Sequence, residues 1–216
     1  MTTSAVNLQY IAAFNNLCET QPPFCAEPSP QLWEAVDPPH PSSTDTAIRI
    51  IRKELSGQGI RPIDMLGNCF KFVRISSFAL MRERIRHTVT IGNVMINGKA
   101  VYKTSAASIA KDMEDGYDES TTAEAHAWIT LQNGAVIDLT ILSHLANREK
   151  RKPLKLITGI FGSDLPSGHQ IHYFPYFLGP AYMLRVTTPP DPAAITLSHA
   201  WVLGIDKLLK EENVKA

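Results

Sequence analysis

Hydrophobic and polar positions change period near the middle of this chain. A spacing of three to four residues gives way to alternation and short apolar runs. In the first part, Val6, Tyr10, Phe14 and Leu17 predict an amphipathic helix over 5–18. Ile48, Ile51 and Leu55 predict a second helix over 43–56, with Ser43 or Thr44 as N-cap and Gly57 as its stop. "NCFKFVRISSFALMRERI", 68–85, predicts a third. Phe70, Phe72, Val73, Ile75, Phe78, Ala79, Leu80 and Met81 make that helix apolar on most faces, so it is expected to be buried, with a charged last turn in solvent.

Strand signals follow. "HTVTIGNVMINGKAVY" predicts a hairpin turning at Asn97-Gly98. Residues 104–115 predict a short helix and 116–124 a polar loop. "AEAHAWITLQNGAVIDLT", 123–140, reads as strand, turn at Asn133-Gly134, strand. "LSHLANREK" reads as a helix. "KLITGIF", "HQIHYFPYF" and "AYMLRVT" read as strands, and "ITLSHAWVLGIDKLLKEE" as a closing helix after a break at "PPDP". Helices first and antiparallel strands second is the α+β pattern. Residues 21–43 carry seven of the fifteen prolines, so a connector or irregular wrap is expected there, held on the body by Phe24, Trp33 and Val36. The division is therefore 1–45, an N-terminal helix and proline-rich segment packed on the body, and 46–216, the main domain.

Composition narrows the function. The 216 residues suffice for one full core, and apolar (44%) and charged (19%) contents are those of a folded globular chain. Net charge is zero, which gives no reason to expect a nucleic-acid or anionic-membrane partner. "REKRK", 148–152, reads as a solvated helix end. No apolar run reaches the roughly 18 residues of a membrane span. The first residues lack the positive region of a secretory signal, so a cytoplasmic location is expected. Cys18, Cys25 and Cys69 cannot all pair internally and match no zinc spacing, so free thiols are expected. His144, His169, His172 and His199 show no ligand spacing, and "GIFGSDLPSG" lacks the Lys-Ser/Thr of a phosphate loop. No metal or cofactor is expected. The aromatic run Tyr173, Phe174, Tyr176, Phe177 reads as sheet core or as the wall of a substrate groove.

The candidate chemistry lies in the 123–140 hairpin and the third helix. His126 opens one strand and Asp138 sits in the next. A His–Asp pair needs a nucleophile, and Cys69 stands at the expected start of the buried helix. Unpaired N–H groups and the helix dipole favour an anion there, and so the thiolate over the thiol. A nearby imidazole would add to that effect and could protonate a leaving group. An aspartate behind it would fix its tautomer, and the Cys69 N–H is placed to meet an oxyanion.

"GNC" at 67–69, "HAW" at 126–128 and "VIDLT" at 136–140, in that order, resemble the transglutaminase-like branch of the papain-like cysteine-peptidase superfamily. The resemblance covers about a third of the chain, 67–141. It implies a papain-like α+β fold in which a buried helix packs on an antiparallel sheet. Cys69 would be the nucleophile, His126 the general base and acid, and Asp138 the orienting residue. The implied activity is that of a cysteine hydrolase or acyltransferase: thiol-dependent acyl transfer on an amide or ester through a thioester. Its partner would be a peptide, a protein or a small amide or ester substrate. A non-catalytic binding protein on the same scaffold and an N-acyltransferase are the alternatives. Trp128, inside "HAW", is a substrate-groove candidate. Papain-like peptidases commonly carry a glutamine six residues before the cysteine. Here that position is Ile63, which leaves Gln58 and Asn68 as oxyanion candidates.

The triad also makes a demand on the hairpin. A two-residue Asn133-Gly134 turn would put Asp138 opposite Ile129, three residues from His126 and on the other face of the sheet. Direct pairing of 126 with 138 calls for a longer loop, for example Thr130–Gly134.

Overall fold

The computed structural model describes residues 5–20, 43–83, 85–120, 123–150, 158–159 and 170–187. These hold six helices: α1 (Ala5–Thr20), α2 (Ser43–Gly57), α3 (Cys69–Arg82), α4 (Ala106–Asp115), α5 (Ile141–Arg148) and α6 (Ala181–Thr187). A 3-10 turn, Pro62–Met65, precedes α3. The strands are β1 (His87–Ile96), β2 (Lys99–Ala100), β3 (His126–Leu131), β4 (Val136–Asp138), β5 (Thr158–Gly159) and β6 (Ile171–Leu178). They form one sheet in the order β2-β1-β3-β4-β5, with β6 also paired to β1, and every pairing is antiparallel. The fold class is α+β.

Alternation along the strands gives the sheet two apolar faces. Val89, Ile91, Ala127, Ile129, Leu131 and Ile137 point to one core, shared with Ile51 and Leu55 of α2 and Phe72, Val73 and Leu80 of α3. Val94, Ile96, Trp128, Val136, Ile171 and Tyr173 point to the other, closed by Tyr10 and Phe14 of α1. Thus α1 is one layer of the fold. Its Tyr10 hydroxyl accepts from Trp128 Nε1 (2.9 Å) and lies 2.5 Å from Thr130 Oγ1, inside the second core. The expected division at residue 45 falls within the first turn of α2.

The Asn97-Gly98 hairpin forms as its dipeptide demands. Both residues have positive φ (51° and 74°), the type I′ pattern, and Ile96 faces Lys99 across it. Three other expectations are corrected. The first concerns α3, which is buried on most of its surface as expected but reaches solvent along its length and not only in its last turn. Lys71, Arg74, Phe78 and Arg82 form an exposed stripe at helical spacing, opposite Phe72, Val73, Ser76, Ala79 and Leu80. Ser76 and Ser77 are buried instead, because the sheet meets that side of the helix.

"AYMLRVT" is a helix, α6, not a strand. Pro180 directly before it has the φ of a first helical turn, and Leu184 N–H donates to Pro180 O (3.0 Å). Tyr182 and Met183 face the core while Arg185 is exposed. Gly57 does not stop α2. Gly59 does, with φ 70° and its N–H on Ser56 O (3.0 Å), while Ile60 N–H reaches Leu55 O (3.0 Å). The proline-rich segment, Cys25, His169, His199, "PPDP", the closing helix, and most of "KLITGIF" and "GIFGSDLPSG" lie outside the described residues. Among those described, no helix is long and apolar enough to cross a membrane.

Candidate active site

The site forms where the N-terminus of α3 meets the start of β3. Gly67, at φ 71°, turns the chain, Asn68 takes the N-cap position and Cys69 is the first helical residue. The first bond of the helix is Phe72 N–H to Asn68 O (3.1 Å). The N–H groups of Cys69, Phe70 and Lys71 therefore precede the helical ladder, at the positive end of its dipole. The Cys69 thiol points toward the carbonyl oxygen of Ala125, the residue before His126, at 3.8 Å.

His126 reaches its partner through a hairpin neither as short nor as long as expected. Ile129 faces Ile137 and Thr130 faces Val136. Leu131 N–H donates to Ala135 O (2.8 Å), so the loop is Gln132-Asn133-Gly134, with Gly134 at φ 77°. One residue beyond the dipeptide turn is enough. It shifts the register by one and brings Asp138 to the His126 face. Direct pairing is not needed: the register puts Asp138 opposite Trp128 and so diagonal to His126, and the His126 and Asp138 side chains span the remaining distance.

His126 Nε2 donates to Asp138 Oδ2 at 2.6 Å, and both residues are buried, at 0% and 1% exposure. The other carboxylate oxygen, Oδ1, accepts from the N–H groups of Thr140 (2.8 Å) and Ile141 (2.9 Å) as β4 turns into α5. Tyr173 on β6 donates its hydroxyl to Oδ2 at 2.9 Å. Gly92 lies beside His126 in register, and a Cβ there would overlap the Phe174 carbonyl and approach the Trp128 ring to 2.8 Å. That close approach lets β6 curl over Trp128 toward Asp138.

Electrostatics follow from this geometry. Burial alone would lower the His126 pKa, but the Asp138 carboxylate overrides it, helped by the Cys69 thiol, and pushes it up to about 10. Burial would raise the Asp138 carboxyl, but the imidazolium and the hydrogen-bond donors hold it below its ordinary value. Nδ1 of His126 is different: it is buried without a hydrogen bond of good geometry among the described residues, and the Cys69 thiol is the side chain besides Asp138 that acts on the ring. His87 provides the contrast. Its Nε2 bonds Ser77 Oγ (2.8 Å) and its Nδ1 bonds Ile85 O (2.8 Å), so both ring nitrogens are satisfied. In wild-type protein, the ¹⁵N signals of the His126 ring are expected to report imidazolium well past pH 6.5. In Asp138→Asn the burial effect loses its main opponent and only the Cys69 thiol still acts against it, so the midpoint should fall well below the wild-type value.

A groove of about 770 Å³ opens on Cys69. Lys71 and Arg74 of α3 line it with Met183, Leu184 and Val186 of α6. Asp118, Glu119 and Glu124, from the polar loop before β3, line it too, together with Lys103. Cys69 itself is 8% exposed, so its route to solvent is this groove.

The expected site residues divide. Cys69, His126 and Asp138 come together. Asn68 lines the groove, but its amide donates to Asp64 O (3.2 Å) and Leu66 O (3.0 Å), so its side chain is committed to shaping the turn. Gln58 is exposed at the end of α2, donates to Glu54 Oε1 (2.8 Å) and does not line the groove. Ile63 lies exposed in the 3-10 turn. Trp128 is fully buried and packs behind His126 (ring centroids 5.9 Å apart), so it backs the histidine and does not wall the groove.

Two tyrosines were not singled out by the motifs. Tyr102 lines the groove and stacks on His126, with centroids 5.0 Å apart and planes 15° apart. Its N–H donates to Asn93 Oδ1 (3.3 Å), which ties the segment after β2 to β1. Nothing in "KAVY" signals that role. Tyr173 belonged to the aromatic run read as sheet core or groove wall; its ring is core and does not line this groove, but its hydroxyl serves Asp138. Among the described residues, no group of three or more His, Cys, Asp or Glu could hold a metal ion. Comparison with protein-family models, curated proteins and solved structures finds no match to this chain.

Proposed function

We propose that this protein catalyses thiol-dependent acyl transfer on an amide or ester. The observation that carries the reading is the placement of the buried His126 ring between two groups. Its Nε2 is fixed on the buried Asp138 carboxylate, and the Cys69 thiol, at a helix N-terminus that opens on a groove, also acts on the ring. The arrangement also fits the papain-like scheme implied by the sequence motifs.

In the first half-reaction the Cys69 thiol gives its proton to His126 Nδ1 as its sulfur bonds to the carbonyl carbon. The oxyanion meets the Cys69 N–H at the helix start. The C–N or C–O bond then breaks, and the leaving amine or alcohol takes the Nδ1 proton of His126. In the second, water or an amine attacks the thioester, His126 takes a proton from it, and the thiolate is released. Asp138 stays ionised throughout and keeps the ring oriented. Water makes the enzyme a hydrolase such as a peptidase or amidase, and an amine makes it a transglutaminase-like transferase.

The test is to trap the thioester. Incubating the protein with a panel of p-nitrophenyl esters and peptidyl anilides should add one acyl mass to Cys69, removable by hydroxylamine and absent from Cys69→Ala. Decay of the adduct in water alone, or only with an added amine, distinguishes hydrolysis from transfer. If no panel member acylates Cys69 faster than Cys18, the protein is a binding protein on this scaffold and the enzyme reading is wrong.

A further inference from the structure

We propose that Tyr173 is a positioning residue that sets the proton affinity of His126 by sharing the Asp138 oxygen on which the imidazole rests. The inference rests on reading Cys69, His126 and Asp138 as a working triad.

The carboxylate of Asp138 is shared unequally. Oδ1 takes two backbone N–H groups, which fix its rotation. Oδ2 takes His126 Nε2 at 2.6 Å and the Tyr173 hydroxyl at 2.9 Å. Because Oδ1 already holds the carboxylate in place, the tyrosine is not needed to orient it. Its effect is electronic. A hydroxyl donating to Oδ2 draws negative charge away from the imidazole on the same oxygen, and an imidazolium facing a weaker acceptor holds its proton less tightly.

Burial and the neighbouring carboxylate hold the Tyr173 phenol well above its ordinary pKa, so the hydroxyl is always present as a donor. The ring it tunes is one that Asp138 pushes far toward imidazolium. An imidazolium too firmly protonated is a poor acid for a leaving group. Tyr173 therefore moderates the pair and keeps the Nδ1 proton available.

The other groups around the pair are known. Cys69 of α3, Tyr102 after β2 and His144 of α5 act on the ring or the carboxylate, and Arg148 acts on His144. Tyr10 of α1 approaches Tyr173 from behind Trp128. Tyr10 supplies the control. It too is a buried tyrosine of the same core, and its hydroxyl bonds Trp128 and Thr130.

The experiment titrates the ¹⁵N-labelled His126 ring by NMR in wild type, Tyr173→Phe and Tyr10→Phe, with thermal unfolding of all three. Both variants should lower the unfolding temperature, since each deletes a buried hydroxyl. Only Tyr173→Phe should raise the proton affinity of the ring, by about three- to tenfold, the equivalent of one ordinary hydrogen bond. The alkaline limb of Cys69 acylation should move up with it. An unchanged or lower midpoint in Tyr173→Phe, or an equal shift in Tyr10→Phe, would overturn the inference while leaving the triad intact. A His126 midpoint that stays unchanged in Asp138→Asn would overturn the triad reading, and this inference with it.

Discussion

Asp138→Ala should cost the fold on the order of 3–5 kcal/mol, the usual penalty for removing one partner of a buried ion pair. The carboxylate accepts four hydrogen bonds, from His126 Nε2, the Tyr173 hydroxyl and the N–H groups of Thr140 and Ile141. All four donors lose their acceptor together, and the imidazole is left buried without a counter-charge. Denaturant unfolding at a series of pH values checks both the size and the sign. The contribution of the Asp138 carboxylate is complete above its ordinary pKa of 3.8 and lost as pH falls through its lowered value. The contribution of the His126 imidazolium is complete below its ordinary pKa of 6.5 and lost as pH rises through its raised value. The gap between wild type and Asp138→Ala should therefore be widest between 3.8 and 6.5 and narrow on either side. A gap independent of pH would mean that the pair is not ionic.

His126→Ala carries the second large effect, on rate more than on stability. A general base in contact with a nucleophile contributes about 10²–10⁴-fold. Removing the ring takes away the proton acceptor, the counter-charge for the thiolate and the acid for the leaving group together. Acylation of Cys69 should fall by a factor in that range. Asp138 keeps three of its four donors in this variant, so its stability should suffer less than that of Asp138→Ala.

Much of the site was legible because its parts are local. A cysteine at a helix start, a histidine opening a strand and an aspartate in the following strand can each be read from period and order. The Asn97-Gly98 hairpin was legible for the same reason, since two positive φ values suit that dipeptide. The second hairpin was misread by one residue. Its Asn-Gly pair sits inside a three-residue loop closed by Leu131 and Ala135, and local sequence does not separate that from a two-residue turn. The demand that His126 meet Asp138 points in the right direction but to too large a change, because diagonal contact already lets the two side chains meet. The "AYMLRVT" segment failed because tyrosine, valine and threonine favour strands, whereas docking on α4 made it a helix. There Tyr182 donates to Asp112 (2.6 Å) and Arg185 donates to the carbonyls of Met113 and Glu114 (3.0 Å each). Tyr173 was out of reach for a different reason. In sheet order β6, β1, β3, β4, its strand lies three steps from that of Asp138, and only the curl of the sheet closes that distance. The oxyanion candidates failed because Asn68 and Gln58 spend their amides on local bonds that composition does not reveal.

The central claim is that Cys69 is activated by His126. Its most direct test is the alkylation rate of each cysteine, followed by peptide mass spectrometry across pH 5–9 in wild type and His126→Ala. Cys18 is an internal reference, since burial pushes its thiol pKa up. Cys69 should react at least about tenfold faster than Cys18 and Cys25 near neutral pH, and that advantage should vanish in His126→Ala. A Cys69 that reacts no faster than the other two, or just as fast without His126, would contradict the account.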